Sequence, residues 1–269
     1  MSASGSLPVL APAPIVPEAD ALRIDSALKD LHMPGARRAW RLLAAAAGAP
    51  GPALAAYLAA LLDEELHNRA ENVLRERLRQ ARFPITKTLD GFDFATQPSV
   101  DKATVLALAR GDFVRAHQNA VLVGGTGTGK THLAIGVGLC CLQAGYRVRF
   151  TTAVALANDL MAAAAEHRLT RVLASWRRVN LVILDELGFL PLSREGGQAL
   201  FQFIADRYET AAILITTNLE FARWTEVFGD ATMTAALLDR LLHHAHILEH
   251  TGDSHRFHER ARQRTEDRS

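Results

Sequence analysis

Cysteine is nearly absent from this chain of 269 residues: the only two, Cys140 and Cys141, are neighbours. Adjacent cysteines build neither a disulfide framework nor a zinc knuckle, so the pair reads as small core residues of a protein kept in a reducing compartment, the cytoplasm. An excess of charge is missing too. Thirty Lys plus Arg face twenty-nine Asp plus Glu, so no global basic surplus announces a nucleic-acid partner, and any such surface has to be local. The first twenty-two residues hold no Lys or Arg and four prolines, which does not read as a signal peptide; residues 1–20 are expected to be a disordered leader. A membrane span is lacking as well. Leu42 to Leu62 is uncharged over about the length of a span, but "GAPGP" at 48–52 breaks any helix there and the flanks are mostly alanine, which leaves two helices and a turn.

Hydrophobic residues make up 49% of the chain, ample for a buried core, and the length suits a core domain with a smaller companion. Residues 21–90 read as a helical domain for DNA or partner contact, in two stretches, "ALRIDSALKDLHMPGARRAWRLLAAAA" and "PALAAYLAALLDEELHNRAENVLRERLRQARF". In the second, Leu54, Leu58, Leu61, Leu62, Leu66, Val73 and Leu74 approximate three-four spacing, which predicts one apolar stripe ended by Pro84. Arg75, Arg79 and Arg82 stand at i, i+4 and i+7, and residues 69–87 hold six basic side chains against two acidic ones. That face could meet DNA phosphates; equally, it could be a solvated helix in which Glu71 pairs with Arg75. "FPITKTLDGFDF" reads as a linker.

From about residue 91 to 258 the pattern becomes α/β. Short apolar runs at 120–124, 146–152, 181–186, 211–218 and 246–250 alternate with helical segments, and strands apolar throughout predict a parallel sheet flanked by helices. Residues 259–269 form a charged tail.

Between the first strand and a helix, "GGTGTGKT" fits G-x-x-x-x-G-K-[ST] residue for residue. The loop Gly124, Gly125, Thr126, Gly127, Thr128 and Gly129 lets successive N–H groups point at a polyphosphate, and the following helix adds its positive end. Lys130 is then set against the β- and γ-phosphates of ATP, and Thr131 against Mg2+. Some 55 residues on, "LVILDE" ends an apolar strand in Asp185, a candidate magnesium ligand, and Glu186, a candidate base for in-line attack by water. Asn218, ending "AAILITTN", stands where open α/β sheets gather ligand contacts and could position that water or cap a turn. Arg240 beside Asp239 could form an internal salt bridge or reach a neighbouring subunit's γ-phosphate. His243, His244, His246, His250, His255 and His258 would come from a helix, a strand and a tail, which does not make a preorganised metal site.

The combination of these motifs with "LHMPGARRAW", "KTLDGFDF", "LVILDELGFLPL", "TTNLEFARWTEVFGD", "ALLDRLLHHAHIL" and "GDSHRF" resembles the AAA+ ATPases of the IstB/DnaC group, and within it the IstB-like transposition helpers. The resemblance covers some 230 residues. It implies Lys130 and Thr131 as the Walker A pair, Asp185 and Glu186 as the Walker B pair, Asn218 as the first sensor and Arg240 as a finger acting in trans. It implies Arg256 as a second sensor, in a group whose C-terminal lid is reduced. It further implies a homo-oligomer with ATP at subunit interfaces, largely sequence-independent binding of double-stranded DNA, and recruitment and stimulation of a cognate transposase. A replicative helicase loader of the DnaC type shares the ATPase core, but the N-terminal stretch lacks the zinc-binding cysteines expected of one. A scaffold that uses ATP only to assemble is a further alternative, decided by whether Glu186 is a competent base.

Overall fold

The computed structural model describes residues 18–47 and 52–252. Packing divides the chain between Arg75 and Glu76, inside a helix, whereas the sequence pattern changes near residue 90. The first unit holds α1 (Glu18–Asp30), α2 (Pro34–Ala47) and the greater part of α3 (Pro52–Ala81). A break separates α1 from α2 because His32 takes a left-handed φ of 53° and Pro34 then opens the next helix, where its missing N–H costs nothing. Leu28, Ala36, Trp40 and Leu61 form the small core. The turn read at 48–52 lies, up to Gly51, outside the described residues, as do the leader to residue 17 and the tail from 253.

The apolar stripe predicted on α3 is buried only in part. Leu61 packs inward, but Leu62, Leu66 and Val73 are exposed, and the buried positions go to Glu65 and Asn68. The side chains of Leu54 and Leu58 lie outside the described residues. The start of α2 explains the exchange. Its first N–H groups have no helical acceptor, and Glu65 Oε2 accepts from Gly35 and Ala36 at 2.8 and 3.2 Å. Burial pushes the Glu65 carboxyl up, but the hydrogen bonds from Arg69, Ala36 and Gly35 outweigh it and hold the group below its ordinary value.

The arginine face also differs from its reading. Arg75 donates to Asn72 at 3.3 Å, Glu71 lies 3.4 Å from His67, and Arg79 pairs with Glu76 at 2.6 Å, so the Glu71–Arg75 pair does not form. Helix α3 ends at Ala81, because Phe83 precedes Pro84 and is driven out of the helical region. Arg82 therefore lies beyond the helix, at a φ of 55°, and does not share a helical face with the other two.

The second unit is built on strands β1 (Asn119–Gly124), β2 (Val148–Thr152), β3 (Leu181–Leu187), β4 (Ala212–Thr217) and β5 (Ala245–His250), each within two residues of its predicted run. All neighbours pair in parallel, in the order β2-β3-β4-β1-β5. Every strand thus ends at the same edge, and β1 and β3 approach it with only β4 between them. Helices α4 (Lys102–Ala109) and α5 (Asp112–Arg115) precede the sheet, and α6 (Lys130–Gln143), α7 (Ala153–Ala165), α8 (Leu169–Trp176), α9 (Arg194–Ala205), α10 (Thr225–Phe228) and α11 (Ala231–Leu242) connect the strands. Strands β3 and β4 are buried from Leu181 to Asp185 and from Ala212 to Thr217, as their unbroken apolar runs require. Cys141 is buried on α6, and desolvation pushes its thiol up to about 12, the environment of a core side chain.

Candidate nucleotide site

The loop Gly124–Gly129 joins β1 to α6 at the carboxyl edge of the sheet. Two of its glycines are compelled by space as well as by backbone angle. Gly124 has φ 153°, and a Cβ there would lie 2.2 Å from the His250 carbonyl oxygen; Gly129 has φ 86°, and a Cβ would lie 2.6 Å from the Phe92 ring. The Thr128 hydroxyl donates to the Gly125 carbonyl at 2.9 Å and closes the loop on itself. Gly125 and Thr126 are exposed at its outer side. Lys130 is buried, and its ammonium donates to the carbonyls of Gly124 and Gly125 at 2.7 and 2.6 Å. Those neutral acceptors hold the cation at the mouth of the loop.

Asp185 is the hub of the site. It is 4% exposed, and the Thr131 hydroxyl reaches its two oxygens at 2.9 and 3.1 Å. On its other side the Thr216 hydroxyl donates to Asp185 Oδ1 and accepts from the Glu186 N–H at 3.0 Å. Glu186 sits in a bulge: Leu184 pairs with Ile215 but Leu187 with Thr217, so β3 carries one extra residue against β4. Its φ is 59° and its side chain is exposed. A non-glycine residue held there costs about 1–3 kcal/mol. The bulge keeps Asp185 turned inward toward Thr131 while Glu186, the next residue, faces solvent at the strand end. Beyond the bulge the Thr217 hydroxyl donates to the Leu187 carbonyl at 2.8 Å and restores the ladder.

Asn218 directly follows β4 and is exposed, with no side-chain hydrogen bond among the described residues. Arg240, in the last turn of α11, is likewise exposed; its ion pair with Asp239 does not form. The Thr131–Asp185–Thr216 network includes neither. Arg256, His255 and His258 lie outside the described residues. The other histidines have separate surroundings: the His243 and His244 rings lie 4.1 Å apart, tilted by 51°, His246 meets Gln118 at 3.1 Å, and His250 is buried under the loop.

Three contributors escaped the sequence reading. Thr216 looked like any β-branched residue of a strand. The segment whose sequence reads as a linker packs on α6: Leu89 occupies the space beside Gly136, Phe92 that beside Gly129, and His132 Nε2 meets the Thr88 carbonyl at 2.8 Å. Glycine at 136 inside a helix was the available signal. His250 Nδ1 donates to the Thr128 carbonyl at 3.1 Å while its Nε2 is buried without a partner among the described residues. Desolvation, opposed by that hydrogen bond and reinforced by the Lys130 charge, pushes the His250 imidazole down to about 4. It is neutral at pH 7.

The donor set fits a magnesium nucleotide. The loop turns on glycines at positive φ, Gly124, Gly127 and Gly129, with a buried ammonium at its mouth, and a hydroxyl and a carboxylate oxygen, Thr131 and Asp185, stand together as a hard cation requires. A family model for IstB-like ATP binding proteins matches residues 26–263. The chain belongs to this family. Among its relatives, a Pseudomonas aeruginosa protein named for ATP binding in insertion sequence IS21 is 43% identical over 204 residues, 76% of this chain and 77% of that one. The corresponding protein of insertion sequence IS5376 from Geobacillus stearothermophilus is 36% identical over 238 residues, 88% and 95% of the two chains. Of solved structures, AMPPCP-bound DnaA from Aquifex aeolicus superposes with a TM-score of 0.52 at 18% identity, covering 62% of this chain and 50% of that one. DnaI superposes at 0.51 with 16% identity, covering 67% and 94%. This IstB-like chain therefore has the AAA+ P-loop fold and is an ATP-binding protein. Among the described residues, no helix is long and apolar enough to cross a membrane.

Proposed function

We propose that this protein is a Mg2+-dependent ATPase that assembles on duplex DNA as a homo-oligomer, with ATP at subunit interfaces, and recruits and stimulates a cognate transposase. The observation that carries the catalytic part is the Asp185 carboxylate held between the hydroxyls of Thr131 and Thr216, with Glu186 turned out beside it. Mg-ATP, when bound, supplies the phosphoanhydride to be cleaved and the cation that screens its charge. Lys130 exchanges its two carbonyl acceptors for phosphate oxygens, a stronger charge-assisted bond. Thr131 and Asp185 offer their oxygens to the metal. Glu186 orients a water and takes its proton, Asn218 at the adjacent strand end holds the same water from the side, and Arg240 reaches from one subunit to the γ-phosphate bound by the next.

The DNA and transposase part is supported by the resemblance of 76% to 88% of the chain to proteins named for insertion sequences, at 36% to 43% identity. That likeness favours a transposition helper over a replicative helicase loader. Phosphate release from wild type and Glu186→Gln, with and without duplex DNA, tests the ATPase. The variant should bind ATP and lose turnover by about 100-fold or more, the usual weight of a positioned general base. Equal turnover in the two proteins removes Glu186 from its role and leaves a scaffold that only binds ATP.

A further inference from the structure

Opposite the P-loop, at the edge of the sheet where strands begin, lies an open cavity of about 470 Å3 lined by Arg77, Arg79, Arg82, Arg147, Arg149 and Arg178. The arginines come from the end of α3, from the start of β2 and from the turn between α8 and β3. Parallel strands of five to seven residues separate this edge from the P-loop by roughly 20 Å. No carboxylate lines the cavity. Only Arg79 is in an ion pair among the described residues, with Glu76, and Arg75 is not part of the lining.

The site is built rather than incidental. The Arg149 guanidinium lies 4.0 Å from the centre of the Trp176 ring and is half-buried. Desolvation, and after it the nearby charge of Arg82, lowers its proton affinity, with Asp159 acting weakly the other way. The wall behind it is pinned by Arg207, 4% exposed, which donates to the carbonyls of Trp176 and Val179 at 2.9 and 2.6 Å and so fixes the turn that carries Arg178. Five guanidinium groups without a carboxylate partner thus converge on one concavity in a chain whose net charge is only +1. Like charges held together in this way call for a polyanion. Arginine's planar fork matches phosphate oxygens, and a nucleic-acid strand offers one charge about every 3.4 Å along its axis, denser than the carboxylates of an ordinary acidic peptide.

We propose that this cavity seats consecutive phosphates of a nucleic-acid backbone, which deepens the DNA-binding reading above and rests on it. The test uses the full chain with ATP and a labelled duplex of random sequence, titrated at several salt concentrations. Arg147→Gln/Arg178→Gln removes two exposed side chains that make no hydrogen bond within the described residues, so the melting midpoint should match wild type. Each lost phosphate contact removes about 0.9 from the slope of log affinity against log salt, so the double variant should be shallower by about 1.8 and roughly 60-fold weaker near 0.1 M salt. Arg168→Gln/Arg223→Gln removes two exposed charges elsewhere, paired with Glu166 and Glu226, and should leave the slope unchanged. Arg149→Lys keeps the charge but loses the flat stack on Trp176, and should weaken binding without altering the slope.

If wild type binds no duplex with ATP at any salt, the DNA reading itself has failed and this proposal with it. If wild type binds but the cavity variant matches the surface control, only the seat is refuted. Single strands losing affinity in parallel with duplex support a backbone site common to both. With ATP filling the P-loop, tripolyphosphate bound by wild type but not by Arg147→Gln/Arg178→Gln, with DNA affinity unmoved in that variant, would make this a free-anion site and overturn the proposal, as would polyglutamate competing as well as nucleic acid of equal charge.

Discussion

Thr216→Val replaces a hydroxyl by a methyl of nearly the same volume and tests whether the strand beneath the site sets its chemistry. Two hydrogen bonds disappear together: the one donated to Asp185, and the one accepted from the Glu186 N–H at 3.0 Å. A hydrogen bond to a charged group contributes about 1.5–3 kcal/mol, and an N–H left unsatisfied in the interior costs about 1–3 kcal/mol. The second loss falls on a residue already held at a strained φ of 59°. Without its anchor the bulge is free to relax and carry the Glu186 carboxylate away from the water. If about 1.5–3 kcal/mol of positioning is lost, turnover falls roughly 10- to 160-fold. ATP affinity should hardly change, because Lys130 and the loop carbonyls are untouched. Phosphate release at saturating ATP, together with a fluorescent-nucleotide titration, separates the two quantities. Thr216→Ser, which keeps the oxygen, should restore most of the rate. A valine variant with wild-type turnover refutes this reasoning, as does a serine variant that falls as far as valine.

One further outcome tests the proposed role of Arg240 and another the burial of His250. Arg240→Ala should bind ATP but not turn it over, and mixing it with Lys130→Ala should regain activity at interfaces where an intact arginine meets an intact loop; with subunit exchange verified by labelling, a mixture no more active than its parts excludes action in trans. His250 is pushed down to about 4 when folded, so its neutral form contributes stability that is complete above the unfolded value of about 6.5 and is lost as pH falls toward 4, about 3 kcal/mol in all. Urea melts of wild type and His250→Gln should therefore converge between pH 7 and pH 4, and a constant gap would show that His250 does not titrate on unfolding.

The strands were legible because buried parallel strands must be apolar on both faces, and runs such as Leu181–Leu184 and Ala212–Ile215 satisfy nothing else so well. The loop was legible because two of its glycines stand where a side chain cannot fit, against His250 and Phe92. Its partners, however, are set by register. Nothing local distinguishes Thr216 from Thr217, yet the extra residue in β3 aims the first at Asp185 and the second at the Leu187 carbonyl. The stripe on α3 misled for a related reason: its spacing marks a face, but the unpaired N–H groups of α2 made a carboxylate, Glu65, the better inward neighbour than Leu66.

Charge was least legible of all. The triplet Arg75, Arg79 and Arg82 was found by helical spacing, which assumes that the helix continues; it stops at Ala81. What replaces the face is a convergence across a hundred residues, from Arg77 to Arg178, made by a strand at the edge of the sheet among the described residues and by a turn fastened through Arg207. A net charge of +1 conceals this, because the compensating carboxylates lie elsewhere, many in short-range surface pairs such as Arg115–Asp112, Arg168–Glu166 and Arg223–Glu226. Such exposed pairs contribute little energy, about 0–1 kcal/mol each, but they neutralise the fields around them. Segregation of that kind gives a nearly neutral chain one strongly positive concavity, and several copies in an assembly would repeat it. In the assembly proposed above, affinity for a polyanion would then rise with the number of subunits engaged, and DNA binding would in turn favour assembly.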